Sequence, residues 1–465
     1  MWNKGSFLSS KSVVVIVSSK RLLAAIVVFV CALLVRLLYI LTVGLHYKPI
    51  FDAGIYDDIA RNLLSKGCYC VHGYHSTVSR APLWPWILAL VYYVSDKQVL
   101  FAQLFYALLG GGTCLVIYFL AASLFTKITA LITGLMAATY TGLFLYDGWL
   151  YSEALYTFCL TGFVYTLFRL QRFCLTRDLE TARKRAVFSR IMALNRWSLC
   201  SGLLLAAAML TRPNGVILLV VICAWAFILC VARILKRERR GILWQQVIIV
   251  CCIAVLLVVP WTYRNYRLTQ QFVFVATGLG EVLTGVYNDN VLQPPQGFWS
   301  PPKGTKIHDE VSYTLADDKQ STSQALAWIA SHPDKMPLLL ARHFENMWQP
   351  YTYSHGLPME EFPQRLSAKI LFILIPLQTI PIFALAMLGC IITWRGYRKE
   401  LLIVYLVILS TIGQNVIFYG DMRFRASIEP LLVLFAGVAV WRIGLMCINA
   451  GKLRREKRGL LLDQA

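Results

Sequence analysis

Apolar runs of about twenty residues recur along this chain, and their recurrence limits its fold more than any other feature. A helix needs about 20 apolar residues to cross the hydrocarbon core of a bilayer. Runs of this kind stand at 21–45, 98–124, 128–146, 149–170, 198–212, 215–232, 242–260, 368–393, 401–419 and 425–447. Backbone N–H and C=O groups in lipid must be satisfied within their own segment, so such runs become helices rather than open sheet. The run at 198–212 is short and ends in "LTRPNG" (210–215), which suits a broken or half-inserted helix. The first run is too long for a signal-peptide core and reads as a retained helix. The expectation is an all-α polytopic membrane protein of about ten transmembrane helices. Only 15% of the 465 residues are charged, against about 25% in soluble domains.

Charge placement gives the expected orientation. The net charge is +21, carried largely by short segments beside the apolar runs. These are 172–196 with "ARKR" inside it, "RILKRERR" (233–240), "RGYRK" (395–399) and the tail "KLRREKR" (452–458). With alternating spans they all fall on the side of the amino terminus, which the positive-inside rule makes cytoplasmic. The opposite, extracytoplasmic side then receives 46–97, the 147–148 turn, 261–367 and "GDMRFR" (420–425). This divides the chain into an N-terminal transmembrane region at 1–260 that contains the outer loop 46–97, an outer region at 261–367, C-terminal helices at 368–447 and a basic tail at 448–465. Clustering of this kind argues for a membrane rather than nucleic acid. No Walker loop or strand-linked GxGxxG is present, which argues against a nucleotide motor.

The outer segments hold most of the acids. "FDAGIYDDIARNLLSKG" (51–67) places Ile55, Tyr56, Ile59, Ala60, Leu63 and Leu64 at helical spacing. It is expected to be an amphipathic helix lying at the interface and ending at Gly67. Asp52 is either its N-cap or a reactive carboxylate; Asp57 and Asp58 are expected on its wet face. Arg80 precedes a short apolar segment, 82–95, where it can hold a phosphate or snorkel to headgroups. Asp147 lies at an outer turn, and Glu153 lies inside a span, where an ionisable group is costly and marks function by default. Arg264, Asn265, Arg423 and Arg425 stand where spans emerge on the outer side. Two further helices are expected near 319–331 and 334–348. Most of the 13 cysteines lie in apolar runs, as small hydrophobes do. Cys68, Cys70, His72 and His75 are of zinc-binding type, but their spacing matches no closed zinc site and also suits an extended strand.

Taken in order, Asp52 with Tyr56, Ala60 and Gly67, then "RAPLWP" (80–85), "YSEAL" (151–155), "LTRPNG", "PWTYRN" (260–265) and "RFRASIEPLLVL" (423–434) resemble a known family. It is that of the C-fold glycosyltransferases dependent on polyprenyl-phosphate sugars, which includes protein O-mannosyltransferases and lipid A aminoarabinose transferases. The resemblance covers about 50–440. It departs from the family where two consecutive acids often stand, since Asp52 is followed by Ala53, and this weakens the case for a divalent metal. The resemblance implies single-displacement transfer, with inversion, from a polyprenyl-phosphate donor to an extracytoplasmic acceptor. Asp52 is then the general base, with Asp147 or Glu153 as a second acid. Arg80 and Arg264, then Arg212 and Arg423, are the phosphate candidates, and Tyr56 and Asn265 are candidate substrate contacts. No cofactor is expected. The other readings are a transporter or flippase of a lipid-linked substrate, or a non-catalytic assembly protein of the same fold. Transporters often carry paired repeats and mid-membrane charges, and neither is evident here. The expected site is a bacterial inner membrane.

Overall fold

The computed structural model describes residues 19–45, 47–72, 75–181, 195–234, 241–302, 314–350 and 365–462. Much of three of the basic segments used for orientation, 182–194, 235–240 and the side chains of 452–458, lies outside what is described.

The chain is almost wholly helical. Helix α1 (Ser19–Tyr39) runs on through a π-turn to Gly44. Helices α2 (Phe51–Lys66) and α3 (Leu83–Ser95) follow, then α4 (Val99–Leu124), α5 (Lys127–Thr139), the short α6 (Thr141–Phe144) and α7 (Glu153–Thr181). The second half contains α8 (Arg196–Thr211), α9 (Ile217–Ile234), α10 (Gly241–Thr269), α11 (Leu279–Val286), α12 (Leu315–Ser331), α13 (Met336–Trp348), α14 (Arg365–Tyr397), α15 (Leu402–Phe418), α16 (Met422–Arg425) and α17 (Glu429–Leu462). A two-residue strand pair joins Cys70–Val71 to His75–Ser76 in antiparallel register.

Among the described residues, six helical stretches are long and apolar enough to cross a membrane: Ser19–Gly44, Val99–Leu124, Pro213–Val231, Leu243–Thr269, Phe372–Tyr397 and Met422–Gly451. Lys127–Thr139 with Thr141–Gly148 makes a seventh, bent by 57° at Tyr140. The expected count of about ten is not reached. Of the other expected spans, 198–212 and 401–419 correspond to helices of only 16 and 17 residues. The run at 149–170 falls in α7, which opens on an acid and is not one of the six. The outward faces of the long helices are apolar, with Leu34, Leu256, Leu377 and Ile391 each more than 60% exposed. Such a surface is stable against lipid rather than water. The chain is an integral membrane protein.

The bundle packs α4 against α1, α5 and α7, α7 against α8, α8 against α10, and α14 against α17. Close approach is set by small residues, as is usual between helices in lipid. A Cβ on Gly389 of α14 would strike the backbone carbonyl of Phe435 on α17. Helices α11, α12 and α13 form a second, smaller core of Leu283, Val286, Tyr287, Val291, Ala325 and Leu339. This cap is tied to the bundle by the Tyr287 hydroxyl on the Ile417 carbonyl, His343 Nδ1 on the Val416 carbonyl (2.9 Å) and Arg425 on the carbonyls of Met347 and Gln349.

Helix α2 forms where expected and ends at Gly67, whose φ of 66° needs no Cβ. Two details differ from expectation. The N-cap position is Ile50, so Asp52 sits inside the first turn and is not the cap. Asp57 and Asp58 are half-buried rather than a wet face. Asp57 accepts from Arg61 (2.7 Å) and from the Tyr92 hydroxyl, and Asp58 accepts from Asn62 (3.1 Å) and the His72 backbone (2.6 Å). They pin α2 to α3 and to the strand pair. Cys68 and Cys70 are joined in a disulfide, which removes them as candidate zinc ligands.

Candidate active site

Five charged side chains from five separate segments meet at the end of the bundle that carries α2 and the cap. Asp52 occupies the first turn of α2, where a carboxylate is favoured by the helix dipole. The residue before it, Phe51, has a φ of 50°, a region that bulky side chains seldom enter. Such strain is characteristic of functional positions. Glu153 occupies the first turn of α7 in the same electrostatic setting. Arg80 comes from the loop before α3. Arg212 stands at the break between α8 and the 3-10 turn Pro213–Val216, with φ −143° and ψ 131°. Pro213 excludes helical geometry from the residue before it, so the helix stops and the arginine turns aside. Arg423 lies in α16, whose start is capped by Asp421 Oδ1 on the Arg423 N–H (2.8 Å).

The five form one chain of contacts. Arg80 Nη2 donates to Asp52 Oδ1 at 3.0 Å, and Arg423 Nη2 donates to Asp52 Oδ2 at 2.8 Å. Arg423 Nε reaches Glu153 Oε1, which also accepts from Arg212 Nη1 at 2.6 Å. The ring of Tyr151 lies 4.2 Å from the Arg423 guanidinium, and that of Phe424 lies 5.1 Å from Arg212. Stacking of this kind holds a guanidinium plane without consuming its donors. Glu153 is 3% exposed, whereas the Asp52 side chain keeps 33%. Burial pushes the Asp52 carboxyl up, but Arg423 and then Arg80 more than reverse this and hold it at about 2. The Tyr56 phenol is pushed up by burial and by the Asp52 charge, which places this side chain beside the cluster. Three guanidiniums face two carboxylates, so the cluster carries one net positive charge.

No protein-family model matches the sequence, and no curated protein sequence does. In structure, the chain is similar to the oligosaccharyltransferase AglB of Archaeoglobus fulgidus, solved with an inhibitory peptide and a dolichol-phosphate. The TM-score is 0.55 and the identity 11%, over 94% of this chain and 51% of that one. The Archaeoglobus fulgidus enzyme tethered to an acceptor peptide gives a TM-score of 0.56 at 14% identity, over 91% and 49%. The fold is that of the C-type glycosyltransferases. The chain spans about half the length of the oligosaccharyltransferases it matches. ArnT of Cupriavidus metallidurans, bound to undecaprenyl phosphate, is 14% identical over 90% of this chain and 78% of that one, with a TM-score of 0.41. The C-fold assignment rests on the first two.

Within this C-type fold, the structure brings together Asp52, Glu153, Arg80, Arg212 and Arg423, with Tyr56 beside them. It does not bring Asp147, Arg264 or Asn265 to them. Asp147 Oδ2 pairs with Arg36 Nε of α1 at 2.5 Å, with both residues under 3% exposed. Arg264 Nη1 donates to the Thr77 carbonyl at 2.6 Å and Nη2 to that of Tyr69 at 3.3 Å, which holds the strand pair onto α10. Asn265 is fully buried and bonds the carbonyls of Val273 (3.3 Å) and Val275 (2.9 Å). Arg425, paired with Glu429 at 2.6 Å, anchors the cap. Sequence reasoning missed Tyr151 and Phe424; the signal was their place beside Glu153 and Arg423 in the two motifs. The cluster does not fit a metal. Among the described residues no three His, Cys, Asp or Glu side chains group together, and both Asp52 oxygens face guanidiniums.

Proposed function

We propose that this protein is a membrane glycosyltransferase that moves a sugar from a polyprenyl-phosphate donor to an acceptor hydroxyl or amine. The observation that carries this reading is the cationic cluster of Arg80, Arg212 and Arg423 around Asp52 and Glu153. Three guanidiniums at one spot are suited to a phosphate monoanion or dianion. Asp52, the more accessible of the two acids, is the general base, and Glu153 orients Arg212 and Arg423. The donor phosphate competes with Asp52 for Arg80 and Arg423. As those contacts shift to phosphate, the Asp52 carboxylate is released and its basicity rises. It then takes the acceptor proton while the acceptor attacks the anomeric carbon. The bond from that carbon to the phosphate oxygen breaks, and the leaving lipid phosphate is stabilised by the arginines. A single displacement inverts the anomeric centre. The Cys68–Cys70 disulfide supports placing this face on the extracytoplasmic, oxidising side, in agreement with the basic segments.

The test uses purified protein in nanodiscs, a polyprenyl-phosphate sugar and a panel of lipid, glycan and peptide acceptors. Transfer that disappears in Asp52→Asn, with lipid-phosphate binding intact, is the expected result. Movement of the lipid across the bilayer with no new glycosidic bond would instead make the protein a transporter.

A further inference from the structure

A small cleft, open to solvent, lies on the Arg212 and Arg423 side of the cluster, and Asp52 does not line it. One wall is Glu153, Arg212 and Arg423. The other is uncharged and polar: Asn214 from the 3-10 turn, and Thr411, Gln414 and Asn415 from α15. Helix α15 is otherwise apolar, reading "LIVYLVIL" before its polar turn "STIGQN". An otherwise apolar helix thus turns amides and a hydroxyl toward a cleft beside the charged cluster, where a polar ligand can meet them.

The uncharged polar side chains here are mostly open to solvent and largely without protein partners: Asn214 is exposed, and Thr411 and Gln414 are half-buried. Among the described residues, nothing bonds the side chains of Asn214, Thr411 or Asn415, and Gln414 uses only its Nε2, on the Ser410 carbonyl. Glu153 adds the sharpest sign. Its Oε1 takes both arginines, while Oε2 is buried without a partner in a residue 3% exposed. A buried carboxylate oxygen costs heavily unless it accepts a hydrogen bond.

We infer that this cleft is the subsite for the sugar ring of the donor, and that it selects an uncharged or amino sugar over an acidic one. The inference rests on the glycosyltransferase reading and adds to it which side of the phosphate holds the sugar. Hydroxyls of the ring donate to Glu153 Oε2 and exchange bonds with Asn214, Thr411, Gln414 and Asn415. Arg212 and Arg423 then hold the phosphate at the mouth, and Asp52 lies across Arg423 on the acceptor side. A uronic acid in the same place would set a second carboxylate against Glu153.

The experiment measures binding of four lipids to the full chain in nanodiscs: bare polyprenyl phosphate, and the same lipid carrying glucose, N-acetylglucosamine or glucuronic acid. We expect one of the neutral glycolipids to bind about tenfold more tightly than the bare lipid, the effect of one or two added hydrogen bonds. Asn415→Leu and Gln414→Leu should erase that preference and leave bare-lipid affinity within about twofold. Bare-lipid affinity also reports folding. If either leucine variant loses it, Thr411→Val, which is closest in shape, is measured by the same criterion. A preference that survives the variants overturns the subsite, as does a wild type that favours glucuronate or no sugar at all. A wild type that fails to bind even the bare lipid overturns the glycosyltransferase reading itself.

Discussion

The molecule contains two arginine–carboxylate systems, and they differ in charge balance and in access. Arg36 and Asp147 are one cation and one anion, both almost fully buried, and Arg36 Nη1 is further satisfied by the Ala32 carbonyl at 3.1 Å. Charge there is balanced, and Arg36 Nη1 is shared with the Ala138 carbonyl as well. The Asp52–Glu153 system is unbalanced by one positive charge, and its Asp52 is one-third exposed. Its two carboxylates sit on two helix N-termini, and two of its three arginines, Arg423 and Arg212, are stacked on Tyr151 and Phe424. A balanced buried pair fixes helices to one another. An unbalanced, accessible cluster has an affinity left over for an incoming anion. The two systems differ in surplus charge and in access, not in residue types.

The strongest way to break this comparison is to exchange the consequences of the two carboxylates. Asp52→Asn should lower transfer by roughly 10²–10⁴-fold, the range for loss of a general base, with thermal unfolding close to wild type. Asp147→Ala should do the reverse. Removal of one partner of a buried pair costs roughly 3–5 kcal/mol because the other charge is stranded. Thermal unfolding in detergent should fall accordingly, while the double variant Arg36→Met with Asp147→Leu regains most of the loss. If Asp147→Ala keeps its stability yet loses transfer, the division between the two systems is wrong.

A smaller effect separates the arginines. Arg80→Ala should weaken binding of bare polyprenyl phosphate by roughly 1.5–3 kcal/mol, about 10- to 150-fold, the value of a hydrogen bond to a charged group. Arg264→Ala removes two bonds to backbone carbonyls of the strand pair instead. It should lower the unfolding temperature and leave lipid-phosphate affinity nearly unchanged. Equal loss of affinity in both variants would return Arg264 to the phosphate site.

Much of this division could be read in the chain before folding was known. The place of the amphipathic α2, of the cap helices α12 and α13 and of the break at "LTRPNG" all follow from period and proline. Asp52, Arg80, Glu153, Arg212 and Arg423 were each visible as charges at ends of apolar runs. What periodicity does not supply is partnership. Arg36 stands deep in the first apolar run and its burial requires an anion, but nothing in the periodicity pairs it with Asp147 at the outer turn. Arg264 and Asn265 satisfy backbone carbonyls, a need that exists only once the strand pair and the 270–275 segment are in place. The polar turn of α15 disappears into the average hydropathy of its run. Among the described residues six or seven stretches meet the length for a span, and composition does not foresee the 57° bend at Tyr140.

The subtlest prediction concerns pH and tests whether Asp52 is shared between the two tasks. Its carboxyl stands at about 2 against an ordinary 3.8, because Arg423 and Arg80 outweigh the effect of burial. A lowered carboxylate contributes stability that is present above the ordinary value and lost as pH falls from there through the lowered one. Acid unfolding of the wild type should therefore include a component between about 3.8 and about 2 that is missing in Asp52→Asn. Catalysis should place the same group differently. The acid limb of kcat/KM reports the free enzyme, and that of kcat reports the complex. If bound phosphate draws Arg80 and Arg423 away, the carboxyl in the complex loses the charges that lowered it. The acid limb of kcat should then lie at higher pH than that of kcat/KM. Coincident limbs would mean that the arginines never leave Asp52, and that the base must be sought elsewhere in the cluster.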